Sequence, residues 1–175
     1  MKPVTYETLI SEAKIQERIK ELASAIDRDL NGEELIVIGV MKGAFIFAAD
    51  LIRRLSMPIR MEFIGVASYA GTESTGEVRI THDLTAEVRG KNVLLVEDII
   101  DTGRTIDYLL DVINIREPKT LRICSFLSKP TAHVMRHHID YVGFTIANEF
   151  VVGYGLDLDG YYRQLPYLAR VTVTG

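Results

Sequence analysis

One cysteine, Cys124, stands in a chain of 175 residues, so no intramolecular disulfide can form and a reducing compartment is expected. Because it lies inside the apolar run Leu121-Arg-Ile-Cys-Ser-Phe-Leu127, it reads as a small core residue and not as a nucleophile. A basic surplus is missing too. The net charge of −4 and the pI near 5.6 argue against a general nucleic-acid binder and suit a small ligand. Charges interrupt every apolar run before membrane-spanning length, and Met1-Lys-Pro-Val-Thr-Tyr6 lacks the apolar stretch of a secretion signal, so a cytoplasmic location without membrane contact is expected. No internal repeat, low-complexity tract or linker interrupts the chain. Its length fits one domain over residues 1–175, large enough to bury a core of its own.

What is present alternates in period. Apolar residues from Leu9 to Leu30 recur at helical spacing, and so do those from Gly43 to Leu55 and from Thr102 to Ile115, which predicts three amphipathic helices. Between them stand short unbroken apolar runs, Leu35–Val40 and Val93–Val96, the pattern of strands buried on both faces. Ile59–Tyr69, Leu121–Leu127 and Tyr141–Ile146 read as further strands, Thr131–His137 as a short helix, and Leu168–Thr174 alternates like an edge strand. Ala70-Gly-Thr-Glu-Ser-Thr-Gly76 is too small and polar to order itself, which predicts a mobile loop around residues 68–80. The order β then α, repeated, predicts an α/β fold with a parallel sheet.

The chemistry concentrates in "VLLVEDIIDTGRTI", Val93 to Ile106. In a parallel α/β sheet, ligands bind beyond the carboxyl ends of strands, where loops enter helix N-termini. Thr102, Gly103 and Thr105 offer hydroxyls and unhindered backbone N–H groups at such a helix start, a place suited to a phosphate. Glu97 and Asp98 cannot hold a phosphate, but they accept hydrogen bonds from sugar hydroxyls and attract hydrated Mg²⁺. A phosphorylated sugar explains both halves. Any one of these carboxylates alone is explained by solvation, and Asp101 alone by helix capping; three beside Thr-Gly-x-Thr are not. A P-loop is excluded because Asp98 occupies the position of the required glycine. The tripeptide Asp101-Thr-Gly103 also occurs in aspartic proteases, but those are all-β. His133, His137 and His138 have no recognised metal-ligand spacing and read as solvated or locally paired.

On these residues the chain resembles the type I phosphoribosyltransferases, and "VEDIIDTGRT" is similar to their hypoxanthine-guanine branch. The resemblance continues through "GVMKGAFIFAADL", "ASYAGTESTGEV", "FLSKPTAHV" and "EFVVGYGLDLDGYYRQLPY", nearly the whole chain. It implies a largely parallel sheet flanked by helices, with a small hood built from the C-terminal segment and residues near the N-terminus. It implies purine salvage: transfer of the phosphoribosyl group from 5-phosphoribosyl diphosphate to hypoxanthine, and also guanine, giving IMP or GMP and diphosphate with Mg²⁺. It also implies a homodimer or homotetramer. Two rivals stay open, a guanine- or xanthine-preferring enzyme and a nucleotide-sensing regulator that binds nucleic acid.

The same resemblance assigns roles. Lys42 and Gly43, after a non-proline cis peptide at Met41–Lys42, match the pyrophosphate loop, and Arg163 matches a guanidinium on the same group. Thr102, Gly103, Arg104 and Thr105 match the 5-phosphate loop. Glu97 and Asp98 match the ribose and metal environment, and Asp157 matches a metal-associated carboxylate beside the purine. Asp101 matches the catalytic residue near purine N7. Lys129 matches the donor to the 6-oxo group; an ammonium has donors and no acceptor, which favours hypoxanthine or guanine over adenine. Ile99 and Phe150 match the two faces that sandwich the base, Val151 a backbone contact to its edge, and Ser68 and Tyr69 the lid that excludes water. One departure is visible: an arginine common in relatives after the purine lysine is absent from Pro130-Thr-Ala-His-Val134.

Overall fold

The two unbroken apolar runs sit at the middle of a six-stranded sheet. The computed structural model describes residues 4–68, 78–130 and 136–173. In chain order its elements are β1 (Val4–Ile10), α1 (Glu12–Leu30), β2 (Leu35–Met41), α2 (Phe45–Ile52), β3 (Ile59–Ser68), β4 (Val78–His82), β5 (Asn92–Ile100), α3 (Arg104–Asn114), β6 (Thr120–Ser128), β7 (Tyr141–Thr145), β8 (Val151–Val152) and β9 (Leu168–Val173). The large sheet runs β4-β3-β2-β5-β6-β7. All its neighbours are parallel except β4, which pairs antiparallel with β3.

Alternation along the strands explains the apolar runs. Leu35 and Val37 of β2 and Leu94 and Val96 of β5 face a core shared with α1 and α2, packing with Ile19, Leu22, Phe47 and Leu51. Ile36, Ile38, Val93 and Leu95 point the other way, to Ile106, Leu109 and Ile113 of α3. With both faces covered, no position within Leu35–Val40 or Val93–Val96 favours a polar side chain. Cys124 of β6 is fully buried, and burial pushes its thiol far above the ordinary range, so it stays a neutral core residue. Among the described residues no helix is long and apolar enough to cross a membrane.

Phe126 on β6 is the aromatic hub of the first core. Its ring lies 5.4 Å from Phe47, 5.8 Å from Phe144 and 4.9 Å from Tyr154, joining α2, β7 and the segment after β8. Arg18 of α1 adds a polar tie, donating from Nε to Gly143 O and from Nη2 to Val142 O, both at 2.8 Å.

The hood is a three-stranded antiparallel sheet, ordered β1-β9-β8. Here the structure corrects several expectations. Leu9 and Ile10 belong to β1, not to the first helix; Ser11 caps α1 by accepting from Lys14 N, so the helix starts at Glu12. Leu168–Val173 lies at the centre of its sheet and not at an edge, because β1 and β8 pair on either side of it. β5 continues through Glu97 to Ile100, since its neighbour β6 pairs with it that far. β4 had no expected counterpart; only Val78 and Ile80 are partly buried, the rest is exposed, and it carries no apolar run. Helix α2 ends at Ile52 and α3 begins at Arg104, both shorter than their apolar periodicity. The expected strand to Tyr69 is β3 up to Ser68; Tyr69 and residues 70–76 of the expected loop lie outside the described residues, as do residues 131–135 of the expected short helix. Arg136 and His137 are not helical.

Truncating the hub as Phe126→Ala removes a ring that three elements share, and is expected to cost about 3–5 kcal/mol. The midpoint of urea unfolding reads this directly; an unshifted midpoint would show that the hub does not hold the core together.

Candidate active site

Beyond the carboxyl ends of β2 and β5, the chain leaves an open cleft of about 240 Å³ lined by Gly43, Glu97, Asp98, Ile99, Asp101, Thr102, Gly103 and Thr105, with Val40, Met41, Val66, Ile100 and Ile106 beneath and beside them. The five apolar wall positions carry no signal separate from core packing. Helix α3 opens at the cleft. Its N-cap is Gly103, with φ of +85° and no side-chain cap bond, so Asp101 is not the cap. The first-turn N–H groups of α3 therefore meet a buried glycine with no side chain in front of it. Thr102 is exposed, Thr105 half-buried, and Arg104 exposed outside the cleft lining.

Glu97 and Asp98 differ in setting. Glu97 is buried and Asp98 partly exposed. Asp98 N donates to Glu97 Oε1 at 3.1 Å and Ile99 N donates to Asp98 Oδ1 at 2.8 Å, so each carboxylate is braced by the backbone after it. Burial, and then the adjacent Asp98 charge, push the Glu97 carboxyl well above its ordinary value of 4.5.

Asp98 also meets the loop after β2. The Met41–Lys42 peptide there is cis, as the resemblance implies. A Cβ on Gly43 would lie 1.6 Å from Asp98 Oδ2, so no side chain fits at residue 43 with Asp98 in place. A Cβ on Gly155, whose φ is +102°, would lie 2.1 Å from Gly43 O. Gly155 is a site residue that sequence reading missed; its flanking position in Gly153-Tyr-Gly155 was the available signal. Lys42 itself is exposed.

The remaining candidates form two pairs and an arm. Lys129, only 8% exposed, places Nζ 3.6 Å from Asp101 Oδ2, while Lys129 N donates to Ile100 O at 3.0 Å. Arg163 lies 2.6 Å from Asp157 Oδ1 and donates to Gly155 O, and Gly160 N donates to Asp157 Oδ2 at 2.7 Å. Phe150 is 53% exposed beside buried Val151, and its carbonyl accepts from Val171 N at 3.0 Å. Ile99 is partly buried against the first core. Neither Lys129, Phe150, Val151, Asp157 nor Arg163 lines the cleft itself. Ser68 ends β3, and Tyr69 lies outside the described residues, as do residues 131–134 of the departing stretch. Among the described residues no three His, Cys, Asp or Glu side chains come together closely enough to hold a metal ion, so Asp157 does not join Glu97 and Asp98 in such a group. His137 Nδ1 is 3.1 Å from Asp107 Oδ1 and His138 4.0 Å from Asp140, the local pairing expected of them.

A strand-end cleft with a glycine at its helix start, two braced carboxylates and a loop with no room for a side chain at residue 43 stands at the carboxyl ends of the central strands, where α/β sheets bind their ligands. The phosphoribosyl transferase domain family matches residues 6–159, and the chain belongs to that family. It is 47% identical over 161 residues to a bifunctional protein TilS/HprT of Listeria innocua, with 91% of this chain aligned; it spans only a quarter of that relative's length. It is 42% identical over 172 residues to the hypoxanthine phosphoribosyltransferase of Salmonella typhimurium, covering 97% of each. A crystal structure of a hypoxanthine-guanine phosphoribosyltransferase from Bacillus anthracis superposes with a TM-score of 0.91 at 45% identity, over 97% of this chain and 99% of that one.

The Glu97 shift carries a pH dependence. A carboxyl whose folded pKa exceeds its unfolded one contributes stability that is complete below the unfolded value of 4.5 and is lost as pH rises through the folded value. Glu97→Gln, in chelator, is therefore expected to flatten the decline of the unfolding midpoint as pH rises above 4.5. Parallel pH profiles for parent and variant would remove Glu97 as the source.

Proposed function

We propose that the chain catalyses transfer of the phosphoribosyl group from 5-phosphoribosyl diphosphate to hypoxanthine, and to guanine, forming IMP or GMP and releasing diphosphate in purine salvage. The observation that carries this reading is the single cleft in which an open helix start, the Glu97–Asp98 pair and Asp101 meet, with Lys129 held 3.6 Å from Asp101. The near full-length identity to hypoxanthine phosphoribosyltransferases supports the choice of acceptor.

In this reading the 5-phosphate sits on the N-terminus of α3 with Thr102, Gly103, Arg104 and Thr105, where N–H groups and the helix dipole favour an anion. Glu97 and Asp98 face the ribose hydroxyls. Lys42, the Gly43 backbone and Arg163 receive the diphosphate, with the absent side chain at residue 43 letting the backbone approach it. The residues fit Mg²⁺: Glu97, Asp98 and Asp157 are hard oxygen donors, and Mg²⁺ characteristically binds through one or two carboxylates plus substrate phosphates and water. When bound it neutralises charge on the leaving diphosphate.

Lys129 donates to the purine 6-oxo group, Ile99 and Phe150 lie on the faces of the base, and Val151 meets its edge through the backbone. Phe150 is suited to this because its ring is presented to solvent on an arm of the hood. Asp101 faces N7 and takes or shares its proton as the glycosidic bond forms; its carboxylate also steadies positive charge growing on the ribose. The Lys129 ammonium lies 3.6 Å from the Asp101 carboxylate, so the two side chains reach the base from one corner of the site.

The decisive comparison is kcat/KM for hypoxanthine, guanine, xanthine and adenine, run beside a gel-shift assay with RNA and DNA. Preference for the first two bases and no shift is expected; a shift without turnover would replace the enzyme by a regulator. Asp101→Asn is expected to lower kcat by ~10²–10⁴-fold while sparing 5-phosphoribosyl diphosphate binding, and unchanged turnover would defeat its acid–base role. Lys129→Gln should erode 6-oxopurine use, so an unaltered base preference would cancel that contact.

A further inference from the structure

Tyr154 stands between two glycines in an unusual piece of backbone. Gly153, Tyr154 and Gly155 have φ of +97°, +50° and +102° in succession. The left-handed region disfavours a residue with a bulky side chain, so the conformation at Tyr154 is sustained by its surroundings. The three N–H groups of the turn are all engaged, donating to Leu156 O, Leu165 O and Arg163 O at 3.0, 2.9 and 3.0 Å.

The side chain explains what is gained. Tyr154 is buried, its ring 4.9 Å from that of Phe126, and its hydroxyl donates to Asp50 Oδ2 at 2.6 Å. Asp50 belongs to α2 and is itself fixed, accepting from Gln16 Nε2 of α1 at 2.8 Å, with Arg53 Nη1 3.6 Å from its other oxygen. Burial and then the bond to Asp50 push the Tyr154 hydroxyl far upward, so it remains a protonated donor at neutral pH.

Three ligand-bearing parts converge on this one residue. The turn follows directly on the Phe150–Val151 arm. Helix α2 follows directly on the Lys42–Gly43 loop, and Phe126 lies on β6 just before Lys129. One residue further on, Gly155 rests on Gly43 O. The hood therefore touches the α2 unit at two points, its loop through Gly155 and its body through the Tyr154 hydroxyl, and two points fix an orientation that one does not.

We infer that Tyr154 is a positioning residue: through its O–H bond to Asp50 it holds the purine arm, Phe150 and Val151, in fixed register with the diphosphate loop, Lys42 and Gly43. The two substrates are thereby held at reacting distance. This inference rests on the functional reading above. It differs from a packing role, which the ring alone fulfils against Phe126.

The test uses the full chain with Tyr154→Phe, which keeps the ring and deletes the hydroxyl. The single-turnover rate is expected to fall about tenfold or more, because misplacement of well under an ångström to one ångström is costly to reaction, while KM for each substrate stays within about threefold. Asp50→Ala is expected to match it, and the double variant to be no worse than the poorer single one, the signature of one shared interaction. Asp50→Asn, whose amide oxygen still accepts, is expected to restore the rate to within about threefold of the parent. A Tyr154→Phe rate within about twofold of the parent, or losses that add in the double variant, overturns the inference. So does a rate that falls only in step with the melting temperature and with rising KM. If Asp50→Ala does not fold, Tyr154→Phe and Asp50→Asn decide. A parent without turnover sinks the functional reading and the inference with it, whereas an active parent and an unaffected Tyr154→Phe sink the inference alone.

Discussion

The arrangement of the cleft depends on a close approach between three pieces of chain that no side chain separates. The Asp98 carboxylate fills the place a side chain on Gly43 would take, and Gly155 meets the Gly43 carbonyl. Packing at this range leaves no slack, since adding even a methyl group forces backbone or a short, braced carboxylate to move. The end of β5, the loop after β2 and the turn after β8 are thereby set against each other without relying on flexible contacts. Apart from Lys129, which follows β6, the described residues that the proposed function turns to the ligand are attached to one of these three. Glu97, Asp101 and α3 follow the first, Lys42 and α2 the second, Phe150, Asp157 and Arg163 the third.

Around this contact the charges are distributed by depth. Glu97 is buried and rises in pKa, Asp98 is braced by a backbone N–H, and Asp101 is more exposed but has an ammonium close by. A buried lysine such as Lys129 needs a compensating partner, and Asp101 supplies it. The pair Asp157–Arg163 does the same on the hood side, where the guanidinium also donates to Gly155 O and so braces the turn that rests on Gly43. Polar groups to which the proposed function gives ligand contacts thus double as supports for the backbone that carries them.

How much of this was legible follows from how each part is buried. β2 and β5 read clearly because both faces are covered, which forces an unbroken apolar run. The acidic pair and the Thr102–Thr105 loop read clearly because they are contiguous in sequence. β1 did not, because Leu9 and Ile10 fall in phase with the helix that follows, and Ser11 is the only local mark of the boundary. β8 is two residues long, and β4 carries too little buried surface to leave a pattern. The Gly43–Gly155 contact joins positions remote in sequence through backbone alone, so composition and periodicity hold no trace of it. The resemblance to a family supplied Lys129, Phe150, Asp157 and Arg163, each of which by itself reads as an ordinary core or surface residue.

Helix α1 carries its own cap in Ser11, whereas α3 starts at a left-handed glycine with nothing of its own in that role. A helix begun this way has no side-chain acceptor from its own cap residue for the N–H groups of its first turn. In the proposed reaction the phosphate of the substrate is that missing acceptor. Recognition of the donor and completion of the fold then become one event: the protein is most whole when it is occupied, and emptying the cleft returns the first turn of α3 to its open condition.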